Sequence, residues 1–127
     1  MRRLPSMFVI PALLLTAALG APTQARGQSD CADATTTASM QTCALAHYQA
    51  AAKDLADVVS QLHKKLDSTG RQRLDDAQAA WTRFRDANAD YLADVARDGT
   101  LAPVLREIAL ADMTEARSKE LKKTLRP

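Results

Sequence analysis

Histidine, cysteine and glycine are all scarce in this 127-residue chain, with two, two and four copies, and each shortage removes a class of chemistry. The two histidines, His47 and His63, lie sixteen residues apart on one helical segment, roughly 24 Å along its axis at 1.5 Å per residue, so they cannot share one site by themselves. No HExxH pair, serine-centred nucleophile elbow or glycine-rich phosphate loop occurs, which excludes the commonest zinc, acyl-transfer and nucleotide chemistries. Aromatic residues make up 4% of the chain, and no strand-like alternation or solenoid repeat is present, so an all-β or repeat architecture has no signal. Acidic residues are plentiful, yet they fall mainly opposite the apolar stripes described below, where a solvated helix surface accounts for them better than paired catalytic carboxylates.

The first 25 residues have the pattern of an export signal. Arg2 and Arg3 give a charged start, Met7 to Leu19 is apolar apart from Thr16, and Thr23, Gln24 and Ala25 offer small residues for cleavage. A membrane anchor needs about 20 continuous apolar residues, whereas this run is shorter, is broken by Pro11 and ends at Gly20 and Pro22. The expectation is a leader over residues 1–25 cleaved near Ala25, no stable membrane anchor, and a periplasmic or secreted domain over residues 26–127. The precursor carries 17 basic and 15 acidic residues. Arg2 and Arg3 leave with the leader, so 15 of each remain and no global field favours nucleic acid.

Cys31 and Cys43 both follow the expected cleavage point, and in an oxidising compartment their default is a disulfide. Closing so short a loop stabilises by about 3 kcal/mol on the chain-entropy account. Met40, Cys43 and His47 also share one helical face with soft-metal spacing, but a bridged Cys43 could not serve as a ligand, so no metal or cofactor is expected.

Three amphipathic segments follow. Leu45, Tyr48, Ala52, Leu55, Val59, Leu62 and Leu66 recur at intervals of three and four, behind a cap at Thr36 or Thr37. Asp67 to Gly70 ends that helix, with Gly70 suited to a left-handed stop. Leu74, Ala77, Trp81, Phe84, Tyr91 and Val95 form the second stripe, which collects three aromatic residues, predicts the thickest part of the core and ends at Gly99. The third starts at Pro103 and carries Leu105, Ile108, Leu110, Met113, Leu121 and Leu125 with a less clean period. These predict an all-α, three-helix up-down-up bundle: a long antiparallel hairpin with the third helix in its groove, fastened by one disulfide. A hairpin that dimerises as a coiled coil is the competing architecture, because the stripes are narrow and rich in alanine.

Arg117 falls where an apolar residue is expected and so needs a carboxylate partner or a route to water. Asp86 is the candidate partner. Arg117 or Arg85 could alternatively belong to a ligand-facing polar cluster, while Trp81 and Phe84 are expected to pack in the core.

Three separated motifs resemble a known family. Cys31 with Thr35 to Thr37, Met40 and Cys43, then Ala77-Gln78-x-x-Trp81-x-x-Phe84-Arg85-Asp86-Ala87, then Met113-Thr114-x-x-Arg117-x-x-x-Leu121 are similar, in order and spacing, to the LprI-type lysozyme-inhibitor domain. The resemblance runs from about Cys31 to Leu125. Typical members carry two further cysteines, and the positions matching them here are Ala89 and Ala109. Their joint absence implies that those two would pair with each other, and leaves the third helix as the one expected to fray.

What the resemblance implies is a non-catalytic exported binder that fills a lysozyme cleft and engages its carboxylates. The basic groups nearest to that task are Lys64, Lys65, Arg71 and Arg73 at the hairpin turn, with Arg83 and Arg97 on the second segment. The alternative is a structural or assembly module of the envelope, self-associating or docking a partner through helix–helix contact.

Overall fold

A computed structural model describes residues 33–125. Helix α1 spans Thr37–Lys65, α2 spans Ser68–Ala93, a 3₁₀ turn covers Asp94–Ala96, and α3 spans Ala102–Thr124. No strand occurs among the described residues. Cys31 and the residues of the expected leader lie outside them.

Local chemistry fixes the ends. Thr36 caps α1 through a reciprocal capping box with Ser39: the Ser39 amide donates to Thr36 Oγ1 at 3.1 Å, and the Thr36 amide donates to Ser39 Oγ at 3.1 Å. The link to α2 is only Leu66 and Asp67, both extended, and Asp67 caps α2 by accepting from the Gly70 amide at 2.7 Å. Gly70 therefore lies inside the first turn of α2, and no glycine among the described residues has a positive φ, contrary to the left-handed stop expected there. Its lack of a side chain serves a close approach instead, since a Cβ would stand 3.1 Å from both Asp67 Oδ1 and Leu66 Cδ2. The second helix likewise ends at Ala93 and not at Gly99.

Pairings along the helices give their relative sense. Between α1 and α3, His47 meets Glu115 at 2.6 Å, Asp54 meets Lys122 at 2.8 Å, and Lys65 Nζ donates to the Leu125 carbonyl at 2.9 Å; both numbers rise together. Between α2 and α3, Asp90 meets Arg106 at 2.6 Å and Gln78 accepts from Arg117 at 2.7 Å, so those numbers run in opposite directions.

The most extensive helix packing is between α1 and α3, then between α2 and α3, whereas the α1 and α2 backbones scarcely approach each other. Three expectations are corrected by this arrangement. The hairpin helices do not form the tight pair into which the third settles; α3 is the shared partner of both. Nor is α2 the thickest part of the core, because it buries only Ala89 and Ala93, while Phe84, Tyr91 and Val95 are 61%, 75% and 86% exposed. And α3, expected to be the loosest, buries seven residues, Val104, Ala109, Leu110, Ala111, Thr114, Ser118 and Leu121.

The core has two parts. Leu55, Val58, Leu62 and Leu121 form an aliphatic cluster near the α1–α2 link, flanked by Val59, Leu66, Leu74, Trp81 and Leu125. Ala89, Ala109 and Leu110 form a smaller one against Tyr48. The small residues there let the helices come close.

Candidate functional site

Because α1 and α3 run in the same sense and α2 returns, the C-termini of α1 and α3 lie together with the N-terminus of α2. That end gathers Lys64, Lys65, Arg71 and Arg73 from the link region, as the sequence indicates, and adds Lys122 and Lys123 from the last turn of α3. Sequence spacing alone gave no signal for those two, since they stand about fifty residues or more away along the chain. Cations at two helix C-termini are favoured by the exposed carbonyls there, and part of the cluster is engaged in that way. Lys65 donates to the Leu125 carbonyl, and Arg71 Nη1 donates to the Leu66 carbonyl at 2.7 Å. Lys122 bridges to Asp54 with contacts of 2.8 and 2.9 Å, and that hydrogen bond holds the Asp54 carboxyl below its ordinary range against the opposing effect of burial. Lys64, Arg73 and Lys123 are exposed and present their charges to solvent.

The other two basic candidates are not part of this grouping. Arg83 is exposed midway along α2, and Arg97 is tied to Asp94 at 2.6 Å beyond the far end of that helix.

A second polar constellation lies where α2 meets its neighbours. Trp81 is flanked by two guanidinium groups, Arg85 with its Cζ 5.2 Å from the ring centroid and Arg117 at 5.8 Å; Arg85 also lies 5.4 Å from the Tyr48 ring. The arginine side chains are only 11% and 13% exposed, so the aromatic faces and the hydrogen bonds together replace lost water. Asp86, expected to meet Arg117, instead accepts from its neighbour Arg85 at 2.7 and 2.9 Å. Arg117 is held by Gln78 and by Glu120 at 2.7 Å each. Arg117 thus occupies a stripe position because its guanidinium lies over the Trp81 ring and is held there by Gln78 and Glu120. One side of this cluster opens into a cleft of about 460 Å³ between α1 and α2, lined by Ala52, Leu55, Val59, His63, Trp81 and Arg85 among others. Of the motif residues, Phe84 points away from all this and is exposed, contrary to its expected core role, and Thr114 is fully buried in α3.

Met40, Cys43 and His47 share a shallow, mainly apolar cavity of about 270 Å³ with Ala34, Val104 and Ile108. His47 Nε2 is engaged by Glu115, and no group of three metal-binding acidic, histidine or cysteine side chains exists among the described residues.

These features define a small three-helix protein whose polar clusters are ion pairs, stacked cations and an open basic end. The profile of the family described as lysozyme inhibitor LprI matches residues 29–121, and the chain belongs to that family. It is also similar to an uncharacterised protein of Rhizobium meliloti (strain 1021), 28% identical over 129 residues that cover 91% of this chain and 93% of the relative. No solved structure matches the chain.

Proposed function

We propose that this is an exported, non-catalytic inhibitor of a lysozyme, which blocks the glycan cleft by inserting the basic end of the helical bundle. Membership of the lysozyme-inhibitor family carries the reading. The charge arrangement supports it, because a glycosidase cleft holds a pair of carboxylates and the exposed Lys64, Arg73 and Lys123 offer complementary charge on one rigid end. In the same reading residues 1–25 are a cleaved leader, and the three helices form an up-down-up bundle tied by Cys31 and Cys43. The absence of a free cysteine among the described residues supports that bridge, and no described helix is long and apolar enough to cross a membrane.

The purified protein, incubated with lysozymes of several classes while cell-wall lysis is followed, should inhibit at least one of them at stoichiometric to modest excess. Lys64→Glu with Lys123→Glu should weaken inhibition about tenfold or more, as expected for losing charges that steer and hold the complex. A lack of inhibition at high micromolar excess against every class would rule the reading out. A structural role in the envelope through helix docking is the second reading, favoured by one observation: the exposed apolar face of α2.

A further inference from the structure

On the side of α2 turned away from α1 and α3, Ala77, Ala80, Phe84, Ala87 and Tyr91 follow one another at intervals of three and four, and every one of them is exposed. That is the spacing of a coiled-coil seam, but it belongs to a face that meets no other described helix. Phe84 and Tyr91 are 61% and 75% exposed, with Leu92 and Val95 beside them at 48% and 86%. From Ala77 to Tyr91 the seam is roughly 21 Å long at 1.5 Å per residue. One step before Ala77 stands a cation, Arg73, and one step past Tyr91 a carboxylate, Asp94, with Asp98 in the turn beyond the 3₁₀ segment, all exposed.

We infer that this seam is the interface of a homodimer in which the α2 helices of two copies pair antiparallel about a two-fold axis between Phe84 and Ala87. The inference rests on complementarity of the seam with its own reverse. In that register Phe84 lies opposite the partner's Ala87, and Tyr91 lies opposite the partner's Ala80. Each large ring therefore meets a small residue, and no level of the seam sets ring against ring or leaves alanine facing alanine. Arg73 falls beside the partner's Asp94 and the turn that carries its Asp98, and the same pairs recur on the other side of the axis, as an isologous interface requires. A parallel pairing would set Arg73 against Arg73 and the carboxylates against each other, so charge selects the antiparallel sense. An unrelated partner helix would impose neither match on this chain. Asp94 already holds Arg97 at 2.6 Å, which leaves Asp98 as the principal acceptor for the partner's Arg73. One helix pair of this length is at the small end of specific interfaces, so the dimer is a weak one that forms as concentration rises.

Sedimentation equilibrium of the purified protein from a few micromolar to several hundred micromolar tests this. The mass should rise from monomer toward dimer across that range. Phe84→Asp should weaken association at least tenfold while circular dichroism and thermal midpoint stay near those of the unchanged protein, because the side chain touches little of its own fold; Tyr91→Glu provides a second probe should Phe84→Asp misfold. Arg73→Asp should weaken association several-fold, and Arg73→Asp with Asp98→Arg in one chain should recover it, since the reversed pair re-forms across the axis. A mass that remains monomeric at every concentration, or a dimer indifferent to both Phe84→Asp and Tyr91→Glu, overturns the interface. Failure of the double reversal to recover association overturns the register. Arg73 belongs to both surfaces, so the two readings are separated by Lys64 and Lys123, which lie off the seam, and by Phe84 and Tyr91, which lie off the basic end.

Discussion

Thr114 shows how a single side chain can be read from its surroundings. It is fully buried, and its hydroxyl has no hydrogen-bond partner among the described atoms, so folding strips water from a polar group without replacing it. Thr114→Val keeps the shape and removes the hydroxyl, and should raise the stability by about 1 kcal/mol, read as a higher urea midpoint at unchanged slope. A loss of stability would mean that the hydroxyl is engaged, for instance by water. Trp81 has the opposite role, since it is the surface on which Arg85 and Arg117 lie. Trp81→Ala should cost about 3 kcal/mol through the cavity and the stranded cations, and a cost below about 1 kcal/mol would show that the arginines find other partners.

At the scale of helices, the stability resides in the fit of α3 against both neighbours. Ala89 of α2 and Ala109 of α3 pack in one cluster, which places them close enough to test a bridge between those two helices. Ala89→Cys with Ala109→Cys should therefore oxidise to an internal bridge and add about 3 kcal/mol. The check is a thermal midpoint that rises above that of the unchanged protein without reductant, and by less with it. Between α1 and α3, the Asp54–Lys122 bridge predicts an acid dependence. The Asp54 carboxyl is held below its ordinary 3.8, so its contribution is present above that value and is lost as pH falls through the lower folded value. Both partners are about half exposed, which limits the effect to about 0.5 kcal/mol. Asp54→Asn should accordingly be less stable than the unchanged protein at neutral pH, with the difference in unfolding curves shrinking as pH falls through the lowered folded value.

For the whole molecule, exposed basic charge is concentrated at one end of the bundle. Lysines and arginines collect where α1 and α3 end, whereas at the other end of α2 Asp90 and Asp94 are held by Arg106 and Arg97. A chain whose 17 basic and 15 acidic residues nearly balance can still carry its charge unevenly. Inhibition through the basic end should then weaken steadily as sodium chloride rises from about 0.05 to about 0.5 M, over which screening shortens from more than 10 Å to a few ångströms. An inhibition constant indifferent to salt would place the contact on an apolar surface.

Much of this was open to inspection in the residue order: three helical segments, the Thr36 cap, the proline at the start of α3, and the family through its three motifs. Capping and periodicity are local, so neighbours in sequence decide them. The assignment of faces was not local. In α3 the buried seam runs through Val104, Ala111, Thr114, Ser118 and Leu121, and a stripe of alanine, threonine and serine carries little hydrophobic signal, so Leu105, Ile108 and Met113 drew the eye to the neighbouring rows. In α2 the apolar stripe looked like core, yet burial depends on which partner arrives, and α3 packs beside Ala89 and Ala93, leaving Phe84 and Tyr91 outside. Arg85 and Arg117 found their partners only once Trp81 was placed between them. The residues alone determined that three helices form, with a cap at Thr36 and a proline start to α3; where α2 ends, and which face of each helix meets a neighbour, was decided by three helices competing for the same buried surface.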